Sequence, residues 1–243
     1  MKITIIIPCY NAEQWISESI QSALAQTYQN IEIIFVDNES LDNSYQIAKE
    51  MQRGGQDFKV LTTPNLYKHS WEEPVNKALN EATGEYFTIL GADDYIQSDY
   101  VDNIVKIISA APDKIKILQT PIIGVRGAQE EFLGETKHIY TNLDDFKKLL
   151  FQRCPVNTPS MVYKKELYDK GIVRWNSKEY LGAADYDLYF NIADKGLFIY
   201  PYPKWIGYFY RWHSTQSTWG MQRDFSQIDV KIKQYWKERW THE

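Results

Sequence analysis

The chain opens on an apolar, β-branched run at 2–7 that stops at Pro8, a pattern that reads as a short strand. Asn11 stands where a helix cap belongs, with Gln14 three residues on as in a capping box. Trp15, Ile16, Ile20, Ala23 and Leu24 then fall on one helical face. A second apolar run at 31–36 predicts another strand, and Ser40 or Asp42 can cap a helix that runs to about Met51. The alternation continues with a strand at 58–62, a helix at 70–82 ending at Gly84, a strand at 85–90, a helix at 98–111 stopped by Pro112, and a strand at 115–120. Strands separated by helices of this length predict an α/β fold: a mainly parallel central sheet with helices on both faces.

After residue 121 the rhythm breaks. The stretch 122–140 reads as a hairpin or extended insertion, 144–150 as a short helix, and 159–163 and 172–175 as short strands. A helix at 185–195 places Leu188, Tyr189, Ile192 and Ala193 on one face, and 205–212 is strand-like. No linker or internal repeat interrupts the chain, which predicts one domain over 1–243 with a regular half, 1–121, and an irregular half, 122–243.

Composition narrows the class. The 243 residues are 44% hydrophobic and 24% charged, ordinary for a globular chain long enough to hold a core without disulfides. A formal net charge of −5 argues against a dedicated nucleic-acid binder. Cys9 and Cys154 lack any metal-ligand spacing and fit a reducing cytosol, and no apolar run approaches the ~20 residues of a membrane span. The expectation is a cytoplasmic chain.

In open parallel sheets, ligands bind at the carboxyl ends of the strands. There the sequence places Pro8-Cys9-Tyr10-Asn11, Asp37-Asn38-Glu39-Ser40 and Gly91-Ala92-Asp93-Asp94, so Asp37, Asp93 and Asp94 converge on one crevice. Such carboxylates suit a divalent cation completed by phosphate oxygens, or, for Asp37, hydrogen bonds from a base or ribose. Helix capping is the other reading of each. Neither G-x-G-x-x-G nor G-x-x-x-x-G-K-[ST] occurs, which argues against a dehydrogenase and a P-loop NTPase.

These segments, together with Gly84-Glu85-Tyr86 leading into Leu90-Gly91-Ala92-Asp93-Asp94, resemble family 2 of the nucleotide-sugar glycosyltransferases, inverting enzymes of the GT-A fold. A weaker likeness covers Gly182-Ala183-Ala184-Asp185-Tyr186-Asp187 and Tyr210-Arg211-Trp212-His213. The resemblance implies a nucleotide-sugar site made of Pro8, Tyr10, Asn11, Glu13, Asp37, Asn38, Asn76, Ala92, Asp93 and Arg211. It implies Mn²⁺ or Mg²⁺ on Asp93, Asp94 and His213, and Asp185 as general base. It also implies a UDP-sugar donor and a carbohydrate or lipid-linked acceptor in surface-polysaccharide synthesis. The chain departs from the family pattern at Gly91, in the first position of D-x-D, at Ala184, in the Glu of a Glu-Asp pair, at Val75 before Asn76, and at Asn65-Leu66-Tyr67. Asp187 and Glu179 are the alternative bases. The Q-x-x-R-W signature of processive synthases is absent, which points to transfer of one sugar. A sugar-nucleotidyltransferase, or a degenerate binding module, is the other reading.

For several of these residues the sequence alone leaves a structural role open. Asp185 suits a helix N-terminus as well as catalysis; His213 is either a packed residue or a ligand; Arg211 either meets phosphate or stacks on a ring. The tail 201–243 is aromatic and net basic, seven basic residues against four acidic. Its rings suit sugar stacking, peripheral contact with an anionic membrane, or simple core filling.

Overall fold

The computed structural model describes residues 1–52, 57–67, 70–216 and 227–241. Eleven strands among them are β1 (Ile3–Cys9), β2 (Ile31–Asp37), β3 (Phe58–Thr62), β4 (Tyr86–Ile89), β5 (Tyr95–Ile96), β6 (Ile117–Gln119), β7 (Ile122–Arg126), β8 (Glu131–Thr136), β9 (Met161–Lys164), β10 (Tyr200–Pro201) and β11 (Tyr208–Trp212). The α-helices are α1 (Ile16–Leu24), α2 (Ser44–Met51), α3 (Glu72–Glu81), α4 (Tyr100–Ala110), α5 (Leu143–Gln152), α6 (Lys165–Asp169), α7 (Ser177–Tyr180), α8 (Ala184–Asp194) and α9 (Ile228–Thr241).

Seven strands form the central sheet in the order β10-β6-β9-β4-β1-β2-β3. All its pairings are parallel except those of β9, which runs antiparallel between β4 and β6. The apolar runs of β1 and β2 are buried on both faces, as a parallel sheet covered by helices requires. Ile3, Ile5, Ile7, Ile33 and Phe35 pack with α1 and α4 on one side. Ile6, Ile34 and Val36 pack with α3, α5 and α8 on the other. A second sheet, β5-β11-β7-β8, stands beside the strand ends.

Three local expectations change. Helix α1 begins at Ile16, because Asn11 adopts a positive φ of 52° and its side chain serves a neighbouring loop instead of a cap. Gly84 does not end α3, which stops at Glu81; its N–H donates to Glu32 Oε1 at 2.8 Å, and a Cβ there would collide with Thr4. The stretch 172–175 is not a strand. The short strand expected at 159–163 is β9, antiparallel in the central sheet, and the closing helix α9 falls in the stretch that reads only as an aromatic, net basic tail.

Of the aromatic tail, Trp219 and Phe225 lie outside the described residues. Trp236 is buried, stacked on Phe190 at 5.9 Å, and Trp240 meets Phe151 edge-on at 5.5 Å. These rings fix α9 on α8; losing a buried Trp typically costs about 3–5 kcal/mol. No helix of the described residues is long and apolar enough to cross a membrane.

Candidate active site

The first wall of the site is built where β1 and β2 end side by side, with Cys9 opposite Asp37. Both following loops are cross-tied. Asn11 donates its N–H to Ser40 Oγ (2.9 Å) and accepts at Oδ1 from the Leu41 N–H (2.7 Å). Glu13 Oε2 accepts from the Asn43 N–H (3.0 Å) and Nδ2 (2.8 Å), while the Glu13 N–H donates to Asp42 Oδ2. Asn11 and Glu13 thus hold the loop pair in shape. Pro8 is half-buried and the Tyr10 ring is exposed at the mouth.

Asp37 and Asn38 lie beneath this rim, both buried. Asp37 Oδ2 accepts from the Ser40 N–H at 3.0 Å, but Asp37 Oδ1 and Asn38 Oδ1 are buried and have no hydrogen-bond partner among the described residues. A buried acceptor left unmade costs about 1–3 kcal/mol, so two of them side by side suit a ligand that brings N–H or O–H donors. Asn76 sits half-buried on α3, whose first turns reach the same edge.

The loop after β4 separates the two neighbouring aspartates. Asp93 stays partly exposed, and His213 Nε2 lies 2.9 Å from its Oδ2. Asp94 turns inward and is buried. Its Oδ2 accepts from the Tyr208 hydroxyl (2.8 Å) and its Oδ1 from the Arg211 N–H (2.8 Å). Burial, and then the charge of Asp93, hold the Asp94 carboxyl well above the usual carboxylate range. Both Asp94 oxygens are thus engaged by protein donors. The inward turn also explains Gly91: a Cβ there would stand 2.5 Å from Asp94 Oδ2, so the inward carboxylate occupies the space that the missing D-x-D side chain would need. Ala92, beside it, is buried.

Arg211 is packed into the same corner. Its guanidinium is buried between the rings of Trp15 (4.7 Å) and Tyr95 (5.2 Å). Nε donates to the Asp93 carbonyl (2.9 Å), Nη1 to the Gly127 carbonyl (2.7 Å) and Nη2 to Glu18 Oε2 (2.5 Å). With three of its donors bonded and rings on its faces, it is a clasp that ties β11 to the Asp93 backbone and to α1. The His213 ring packs on Trp15 at 5.2 Å.

The opposite wall carries Asp185, half-buried in the first turn of α8. Its Oδ2 accepts from Thr158 Oγ1 (2.8 Å), which accepts from the Tyr189 hydroxyl (2.8 Å). Burial pushes the Asp185 carboxyl up. Sequence reasoning missed that Thr158 and Tyr189 hold the Asp185 carboxylate; Tyr189 read only as one of four residues on a helix face. The alternatives are committed elsewhere: Asp187 accepts from Trp236 Nε1 (2.7 Å), and Glu179 pairs with Lys231. Just before α8, Leu181 holds a φ of 48°, a left-handed conformation unusual for a branched side chain, and a small cavity between Trp71, Trp175 and Leu181 opens onto Asp185.

Strand direction brings the walls together. Because β9 is antiparallel to β4, with Thr88 opposite Val162, the start of β9 lies at the carboxyl end of β4. The turn 158–160 that leads into β9 therefore sets Thr158, and with it Asp185, at the edge that carries Asp93.

Comparison with known proteins follows this layout. Residues 4–174 match the model of Glycosyl transferase family 2. An uncharacterized glycosyltransferase of Haemophilus influenzae is 27% identical over 237 residues, covering 95% of this chain and 72% of the relative. UDP-Glc:alpha-D-GlcNAc-diphosphoundecaprenol beta-1,3-glucosyltransferase WfaP of Escherichia coli is 26% identical over 80% of this chain and 71% of its own length. Among solved structures, TarS 1-349 of S. aureus in complex with UDP-GlcNAc superposes with a TM-score of 0.76 at 20% identity, covering 96% of this chain. The mannosyltransferase PcManGT of Pyrobaculum calidifontis, in complex with GDP-Man and Mn²⁺, gives 0.64 at 18% identity over 91%. This chain spans 65% and 60% of those two chains, less than two thirds of each. On the family match and the shared architecture, the chain belongs to glycosyl transferase family 2 and has the GT-A fold.

Proposed function

We propose that this chain transfers a single sugar from a UDP-sugar to a carbohydrate or lipid-linked glycan acceptor, with inversion at the anomeric carbon, in surface-glycan assembly. The observation that carries the reading is the meeting of three features at one sheet edge: the buried acceptors of Asp37 and Asn38, the Asp93–His213 pair, and Asp185 on its Thr158 hydrogen bond. A pyrimidine N–H aimed at Asp37 Oδ1 would satisfy an acceptor that the protein leaves unpaired. The solved relatives hold UDP-GlcNAc and GDP-Man, and WfaP is named for UDP-Glc and a diphosphoundecaprenol acceptor; all three support a nucleotide-diphosphate sugar. The diphosphoundecaprenol in the name of WfaP also supports a lipid-linked acceptor.

The residues present fit a divalent cation in part. A carboxylate and an imidazole in contact are suitable first ligands for Mn²⁺ or Mg²⁺, which draws its remaining ligands from phosphate oxygens and water. Among the described residues no third acidic, histidine or cysteine group joins them. Asp93 and His213 would hold the ion, and it would supply charge neutralisation to the departing diphosphate.

Asp185 takes the proton from the acceptor hydroxyl as that oxygen attacks the anomeric carbon from the face opposite the leaving group. A pKa raised by burial makes the carboxylate a better proton acceptor. The Tyr189–Thr158 relay holds one oxygen of the carboxylate in place. The direct test is release of nucleoside diphosphate from UDP-Glc, UDP-GlcNAc, UDP-Gal and GDP-Man with Mn²⁺. One UDP-sugar is expected to turn over, at least 100-fold more slowly in Asp93→Asn; failure of every nucleotide to bind the wild-type chain overturns the reading.

A further inference from the structure

The second sheet has a concave face that none of the chemistry above uses. Strand periodicity puts Ile122, Gly124 and Arg126 of β7 on the same face as Tyr210 and Trp212 of β11, and Leu133 of β8 closes the side. Together they line a hollow of about 580 Å³, within the size range of small-ligand sites.

Its shape follows from particular residues. Tyr210 and Trp212 stand at 85° to one another with centroids 5.3 Å apart, one ring making a floor and the other a wall. Gly124 leaves the sheet bare beneath them: a Cβ there would come within 3.4 Å of Trp212 Nε1 and 3.5 Å of Leu133 Cβ. At Gly134 no atom lies within 4 Å of where a Cβ would point, so that side is open. The rim is charged, with Arg126 paired to Glu131 at 3.5 Å and Glu135 to Lys137 at 3.3 Å. Orthogonal aromatic faces bordered by exchangeable charged groups suit a ring that is apolar on its C–H faces and hydroxylated at its edge, which is the chemistry of a pyranose.

The strands that line the hollow lead directly into residues of the site. Trp212 is followed by His213, which contacts Asp93. Thr136, the last residue of β8, gives its carbonyl to Asn157 Nδ2 at 3.0 Å, and Asn157 precedes the Thr158 that holds Asp185. We infer that this hollow is an acceptor subsite, in which Tyr210 and Trp212 stack a pyranose of the acceptor glycan beyond the sugar that is attacked. This deepens the proposed function and rests on it.

The test is calorimetric and saturation-transfer NMR titration of cellobiose, maltose, lactose and chitobiose into the full chain held with UDP and Mn²⁺. At least one disaccharide is expected to bind, and to bind at least tenfold more weakly to Trp212→Ala and to Leu133→Asp, while the UDP Kd stays within twofold. Leu133 is 39% exposed, so its substitution leaves the core intact. Binding of no disaccharide, or equal binding by wild type and both variants, overturns the subsite alone. So does an unchanged disaccharide affinity combined with lost flotation on anionic vesicles in Trp212→Ala, which would make this a lipid-facing surface. Failure of UDP to bind the wild-type chain overturns the proposed function, and the subsite with it.

Discussion

At the ends of β1 and β2 the site is held by ties between residues about one strand–helix unit apart: Asn11 to Leu41 and Glu13 to Asn43, each a separation of 30 positions. At the end of β4 the ties span far more of the chain, 114 positions from Asp94 to Tyr208 and 193 from Glu18 to Arg211. The first set is exposed and joins two loops that the parallel register already places side by side. The second is mostly buried and is what brings the irregular half onto the regular one. Nucleotide-side geometry is thus a local product of the repeating fold, whereas the Asp93 side exists only after β11 has docked.

Substitutions sharpen that contrast. The largest effect belongs to Asp185→Asn, which keeps an oxygen for Thr158 but cannot take a proton; kcat is expected to fall about 10²–10⁴-fold with UDP affinity unchanged. Asp187→Asn, measured alongside, should keep turnover and lower the melting temperature, since its partner is Trp236. The reverse pattern would move the base by two residues.

Next in size is Arg211→Ala. It strips the guanidinium from two carbonyls, a carboxylate and two aromatic faces, and urea unfolding should show a loss of about 3–5 kcal/mol. Glu13→Gln, on the other wall, removes only charge-assisted bonds near solvent and should cost about 1 kcal/mol or less. Equal losses would mean that both walls are assembled in the same way.

The mildest effect concerns pH. The folded pKa of Asp94 is raised, so its contribution to stability is fully present below the unfolded value of about 4 and is lost as pH rises through the folded value. Asp185, with a raised pKa, acts in the same direction. Melting curves of Asp94→Asn should therefore decline less than wild type from pH 4 towards neutrality; parallel curves would show that Asp94 titrates as an ordinary carboxylate.

The same contrast explains what could be read from the residues. The apolar runs of the first half predict β1 to β4 and the helices between them because alternation and parallel pairing are local in character. Asp37 and Asp93 stand out as candidates because they follow apolar strand runs, whereas Asp185 is singled out only by its likeness to the family's Glu-Asp pair. The opposite fates of Asp93 and Asp94 were not legible, because which carboxylate turns inward depends on Tyr208 and the Arg211 backbone, over a hundred residues on. Nor was the role of Arg211, since phosphate binding and ring stacking ask for the same side chain until Trp15 and Tyr95 are seen on its faces.

The central claim is that a nucleoside diphosphate binds at these strand ends with a cation on Asp93. Calorimetric titration of UDP into the full chain, in Mn²⁺ and again in EDTA, tests it most directly. The account predicts tighter binding in Mn²⁺, with the difference abolished in Asp93→Ala; equal affinity in Mn²⁺ and EDTA, or a difference that survives in Asp93→Ala, would contradict it.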